Sequence, residues 1–141
     1  MKRLAILLIL PLLLTGCNLL DDRVDKDDIF RYVQENQDHL EECIQNGELE
    51  AIKTGRVVKE IQRWDNGVEF SCGGAGMGGQ TAYRGFFYTA TDDLYRIWCA
   101  PPAGEPLVPD GSGFSWQEPE GDNRFYVEKI CGHFYYYEAS F

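Results

Sequence analysis

The sequence predicts an α+β domain: one N-terminal amphipathic helix packed on an antiparallel sheet of about six strands, stapled by disulfides. Three observations predict it. Apolar residues recur at helical spacing from Ile29 to Ile44, between an Asp-rich start and the stop signal Asn46-Gly47. From Arg56 onward, short alternating segments are separated by turn residues, as strands and hairpins require. Four cysteines, Cys43, Cys72, Cys99 and Cys131, lie within the domain, an even number.

The chain opens on Lys2 and Arg3, followed by the apolar run Leu4 to Leu14 and then Thr15-Gly16-Cys17. A membrane-spanning helix needs about 20 apolar residues, so this run is too short to be one. It suits the hydrophobic region of a signal peptide behind a charged start. Leu14-Thr15-Gly16-Cys17 resembles the lipobox of bacterial lipoprotein signal peptides. The resemblance implies removal of residues 1–16, lipidation at Cys17, and attachment to the cell membrane facing outside the cytoplasm. Two or three acyl chains hold a small domain stably, because each buried methylene contributes about 0.8 kcal/mol. Residues 17–24 then form a short tether, and 25–141 a single domain.

Asp25 is placed to cap a helix over Lys26 to Gln45, with Asp27 and Asp28 at the positive end of its dipole. Ile29, Phe30, Val33, Leu40, Cys43 and Ile44 form its apolar face. Residues 57–64 are read as a strand, paired through Asp65-Asn66-Gly67 with a second strand over 68–72. Tyr83 to Thr89 is a third strand, and Thr91-Asp92-Asp93 turns it into a fourth, Leu94 to Cys99. Ala100 to Gly113, rich in Pro and Gly, is an irregular surface loop. Phe114 to Glu118 adds a short strand, and Phe125 to Ile130 and Phe134 to Glu138 close the sheet around Cys131-Gly132. The 3 Trp, 8 Tyr and 8 Phe supply a core of large rings.

The chain carries 13 basic and 23 acidic residues, a formal charge of −10. Cleavage before Cys17 removes Lys2 and Arg3 and leaves 11 against 23, or −12. That surface argues against nucleic acid as a partner and tolerates cations and basic proteins. Outside the cytoplasm, four cysteines read as two disulfides, with Cys72–Cys99 and Cys43–Cys131 the expected pairing. Their wide separation lacks the paired spacing of a zinc site.

Three stretches, Phe70-Ser71-Cys72-Gly73-Gly74-Ala75-Gly76, Tyr83-Arg84-Gly85-Phe86-Phe87-Tyr88 and Gly121-Asp122-Asn123-Arg124 through Phe134-Tyr135-Tyr136-Tyr137-Glu138, together resemble uncharacterised small exported proteins of anaerobic bacteria. This resemblance implies no activity, substrate or catalytic residue.

No complete catalytic set is expected. The Gly73–Gly79 run lacks the Lys-Ser/Thr and the following helix of a phosphate loop, so no nucleotide and no cofactor are expected. Cys131 and His133 could meet on one strand face as nucleophile and base, but an oxidised Cys131 would be inert. His39 has no evident partner. Asp92, Asp93, Asp110, Glu118, Glu120 and Asp122 sit in loops, where a carboxylate pair could hydrolyse a glycan, or where turns favour Asp for its own hydrogen bonds. The segment around Asp110 lacks the ligand ladder of a calcium loop, and no metal is expected. The leading expectation is a non-catalytic lipoprotein binding an envelope protein or glycan. A glycan hydrolase and an inhibitor or immunity-type lipoprotein are the alternatives. The candidate ligand surface joins Gly76, Trp116, Asp122, Asn123, Tyr135 and Tyr137: glycine N–H groups, flat aromatic faces and polar ends.

Overall fold

The structure, a computed structural model, describes residues 23–77 and 80–141. The expected signal peptide and the expected lipidation site Cys17 lie outside these residues. The domain is α+β, one helix on an antiparallel sheet. Helix α1 spans Lys26–Asn46. Asp25 caps it as its sequence position requires, its Oδ1 accepting from Asp28 N at 2.8 Å. Gly47 ends it with φ of 78°, its N–H turned back to the carbonyls of Cys43 and Ile44. Ile29, Val33, Leu40 and Cys43 are buried beneath it. Val24, just before the helix, is buried as well. Among the described residues no helix is long and apolar enough to cross a membrane.

The sheet has seven strands: β1 Glu60–Trp64, β2 Gly67–Met77, β3 Gln80–Thr89, β4 Val108–Asp110, β5 Gly113–Gln117, β6 Arg124–Cys131 and β7 Phe134–Ser140. Their order is β1-β2-β3-β7-β6-β5-β4, with every pair antiparallel. Strand β3 therefore has β2 on one side and β7 on the other. The chain must leave this centre and restart at the far edge with β4. It does so by running residues 90–107 across the sheet face opposite α1.

That crossing corrects the expected strand at Leu94 to Cys99. Both sides of β3 are taken by β2 and β7, so this segment cannot pair beside the strand it follows. It folds as turns instead, with Ile97 and Cys99 buried against the sheet. The seventh strand arises inside the Pro-rich segment. β4 is an edge strand, where Pro109 costs no ladder hydrogen bond.

Strand alternation thus feeds two cores, one on each face. Val68, Phe70, Cys72, Phe86, Phe134 and Tyr136 meet α1. Phe87, Phe125, Val127, Tyr135, Tyr137 and Ala139 meet the crossing segment through Ile97 and Cys99. Phe70 stacks on Phe86 at 4.5 Å between centroids in the first, and Phe87 on Tyr135 at 5.6 Å in the second.

The expected disulfides are also corrected: Cys43, Cys72, Cys99 and Cys131 are free thiols. Cys72 belongs to the core under α1 and Cys99 to the core on the other face, so the sheet itself separates them. Cys43 and Cys131 both border the α1 core, yet remain unbonded. Burial pushes the Cys72 thiol up to about 12, and pushes Cys99 up further, with the Glu69 charge adding to it.

Candidate functional site

The six residues expected to form one ligand surface do not meet as one. Tyr135 and Tyr137 are both buried, on the face covered by the crossing segment, and Tyr136 is buried under α1. Trp116, on β5, is half-buried at the far side of the second core, and its Nε1 reaches Glu105 Oε2 at 3.5 Å. Asp122 is exposed and Asn123 half-buried in the β5–β6 turn, where the Asn123 carbonyl accepts from Glu118 N. Gly76 lies in the ladder opposite Thr81, inside the β2–β3 hairpin, so the glycine run is mostly strand. A bulge between Ser71 and Gly74 lets it turn, with Gly73 at φ of 107°.

Several residues of the other chemical readings have structural uses. Asp92 accepts from Tyr135 Oη at 2.7 Å and lies 3.0 Å from His133 Nδ1. Those two bonds hold its carboxyl below the usual range. Asp93 takes Tyr95 N at 3.1 Å and Arg96 Nε at 3.0 Å. Together they fasten the start of the crossing segment. His133 is engaged with Asp92 while Cys131 borders the α1 core. Burial and then Glu41 push the Cys131 thiol up, the reverse of an activated nucleophile. The His39 ring nitrogens stand 3.8 Å from Cys43 Sγ, whose thiol burial and three nearby Glu side chains also push up. Among the described residues no group of three or more His, Cys, Asp and Glu could hold a metal ion.

The feature these readings leave unexplained lies on the crossing segment's face, around Glu69. The β1–β2 register puts Gln62 opposite Glu69 and Glu60 opposite Ser71, all four on this face. Glu69 is only 4% exposed. Its Oε1 accepts from Trp98 Nε1 at 2.9 Å and from Tyr137 Oη. A cavity of about 250 Å³ opens beside it, lined by Glu60, Gln62, Glu69, Ser71, Tyr83, Trp98 and Tyr137. No model of a known family, no curated protein and no solved structure matches this chain. What the site does must therefore be read from its own chemistry.

Trp98 is 57% exposed, although its indole is held in place by the bond to Glu69. Tyr83 meets it edge-on at 5.3 Å and Phe141 lies 5.8 Å away, so three rings form one open aromatic surface. Phe141 is tied to the β2–β3 hairpin by two backbone bonds with Thr81, which brings this surface beside the glycine-rich strand. Gly85 makes the arrangement fit. A Cβ there would stand 2.3 Å from the Phe70 carbonyl oxygen and 2.9 Å from the Tyr137 ring, so only glycine lets Tyr137 lie across β3 toward Glu69.

A larger hollow, about 430 Å³, lies at the ends of β3, β7, β6 and β5. Two of its polar side chains are bound within the protein: Arg84 donates to the Val24 carbonyl at 3.1 Å, and Glu138 accepts from Tyr136. The smaller cavity is the stronger site because a buried charge opens into it.

Of the sequence-derived surface, then, Tyr137 alone reaches the site, through its hydroxyl rather than an exposed ring. Glu69, Trp98, Tyr83 and Glu60 were missed. No sequence signal marks them, since Trp98 lies within the segment Leu94 to Cys99 that reads as a strand.

Proposed function

We propose that this chain is a lipid-anchored extracytoplasmic protein that binds a ligand or partner without catalysing a reaction. The surface formed by Trp98, Tyr83 and Phe141 over Glu69 is its binding face. The observation that carries this is Trp98: a large ring left more than half exposed, yet fixed by a hydrogen bond to a buried carboxylate. Fixed, exposed aromatic surface is what recognition uses, since little side-chain freedom remains to be lost on binding.

Attachment rests on Leu14-Thr15-Gly16-Cys17 and on the short apolar run before it. The even cysteine count no longer supports export, since the domain cysteines are free. Free thiols are compatible with an oxidising compartment when they are buried and neutral, as Cys72 and Cys99 are, because the thiolate is the reactive species.

Two variants test the reading. Cys17→Ser should move the protein from the membrane fraction to the soluble fraction, and mass spectrometry of the wild type should find acyl chains on Cys17. Trp98→Ala should abolish capture of envelope glycan or protein in a variant that still folds, its lost hydrogen bond to Glu69 costing about 1.5–3 kcal/mol. Unmodified Cys17 in membrane-bound protein would refute the anchor. Undiminished capture by Trp98→Ala would refute the binding face.

A further inference from the structure

We propose that the cavity beside Glu69 takes an alkylammonium group, such as a lysine side chain, with Glu69 as its counter-charge and the Trp98 indole as its wall. This rests on the reading of the Trp98 surface as a binding face, and names what that face recognises.

Glu69 is a buried carboxylate, and both its hydrogen bonds come from neutral donors, Trp98 and Tyr137. No Lys, Arg or His pairs with it among the described residues. Neutral donors ease the cost of burial but leave the negative charge uncompensated. Both bonds fall on Oε1, and Oε2 accepts none from the described residues. Trp64 Nε1 is the enclosed side-chain polar atom that lacks a partner among those residues. Glu69 Oε2 is therefore not sealed in protein, and the space it can face is the cavity.

The remaining walls suit the same ligand. Glu60 adds a second carboxylate at the rim, held by Gln62 Nε2 at 2.9 Å. The exposed Trp98 face offers a cation–π surface, whose attraction strengthens as the cation is desolvated. At about 250 Å³ the cavity is smaller than sites for drug-sized ligands, and fits one head group with its first methylenes. The chain's formal charge of −10 draws cations toward it from a distance. A carboxylate or phosphate would meet Glu69 and Glu60 with no cation to receive it.

The test uses the full chain in detergent, with indole nitrogens labelled for NMR. The Trp98 signal is identified by its loss in Trp98→Phe. The probe is Nα-acetyl-lysine methylamide. Its controls are the same molecule acetylated on Nζ, and a neutral N-acetylglucosamine disaccharide. The charged probe should shift the Trp98 indole saturably, and the neutral lysine analogue should bind at least about tenfold more weakly. Glu69→Gln keeps an acceptor for Trp98 and Tyr137 but removes the charge, so it should cost the charged probe about tenfold or more. Should that variant misfold, Glu60→Gln on the exposed rim must weaken the charged probe and leave the neutral one unchanged. Equal binding of charged and neutral lysine probes, or no saturable shift with the charged one, overturns the ammonium assignment. Saturable sugar binding that survives Glu69→Gln overturns it too, yet leaves the binding face standing. If no probe binds and capture is insensitive to Trp98→Ala, the binding face falls as well.

Discussion

Tyr137→Phe isolates the bond on which the Glu69 site depends. The substitution removes one hydroxyl and keeps the ring that lies against Gly85. Burial, the Glu69 charge and the bond to Glu69 all push the Tyr137 phenol far up, so it remains a neutral donor at every working pH. What is lost is a hydrogen bond to an ionised, buried acceptor, worth about 1.5–3 kcal/mol. Trp98 still donates to the same oxygen, which favours a value of about 2 kcal/mol. For a domain of this size, that lowers the unfolding midpoint by about 8 °C. Urea unfolding at neutral pH measures it, with an unchanged slope showing that the same surface is exposed. The alkaline limb gives a second reading. The phenol's folded value lies above its ordinary 10.0, so its contribution is present below pH 10.0 and is lost as the unfolded chain ionises above it. Tyr137→Phe should flatten that loss. Coupling with Glu69→Gln completes the test: the double variant should lose less than the sum of the two single variants. A loss below about 0.5 kcal/mol, with additive double-variant behaviour, would show that Glu69 is not held as a buried carboxylate.

Two further outcomes follow from the packing. Gly85→Ala should leave little folded protein by circular dichroism, because its Cβ meets backbone 2.3 Å away at the sheet's centre. A soluble variant of near-wild-type stability would mean β2 and β3 pair differently. Alkylation of the native domain should modify Cys131, the half-buried thiol, slowly, and should spare the buried Cys43, Cys72 and Cys99. In urea all four should react without reductant, and mass spectrometry showing an intact Cys72–Cys99 disulfide would contradict the two-core arrangement.

Where local chemistry decides, the sequence was legible. Asp25 and Gly47 bracket α1 with side-chain and backbone bonds that any context would favour. The turns at Asp65-Asn66-Gly67 and Cys131-Gly132 set the two hairpins at which β1–β2 and β6–β7 fold back. Where the partner of a segment decides, it was not. Leu94 to Cys99 has apolar residues enough for a strand, but strand order denies it a neighbour. Val57 and Val58 also read as strand, yet they precede β1, with Val58 buried under α1. The Cys72–Cys99 disulfide failed for the same reason: cysteine number carries no information about which face of a sheet each thiol occupies.

The alternation Val68-Glu69-Phe70 marks a strand but not whether its polar face is covered. Both faces are covered, so Glu69 is buried. Glutamate is an expensive residue there. Burying a carboxylate costs several kcal/mol even after relaxation. Glutamine would accept the same two hydrogen bonds from Trp98 and Tyr137 without that cost. The charge strengthens those two bonds, yet its burial costs more than they gain, and no Lys, Arg or His of the described residues pairs with it. The crossing segment, which strand order forces over this face, leaves the carboxylate open on one side and sets an exposed indole there. A charge that the fold would be more stable without, facing a cavity with an aromatic wall, is what a site for a cation requires. Glu69→Gln should therefore raise stability, or leave it unchanged, in the same protein in which it weakens ammonium binding. Loss of both together would return Glu69 to a purely structural role.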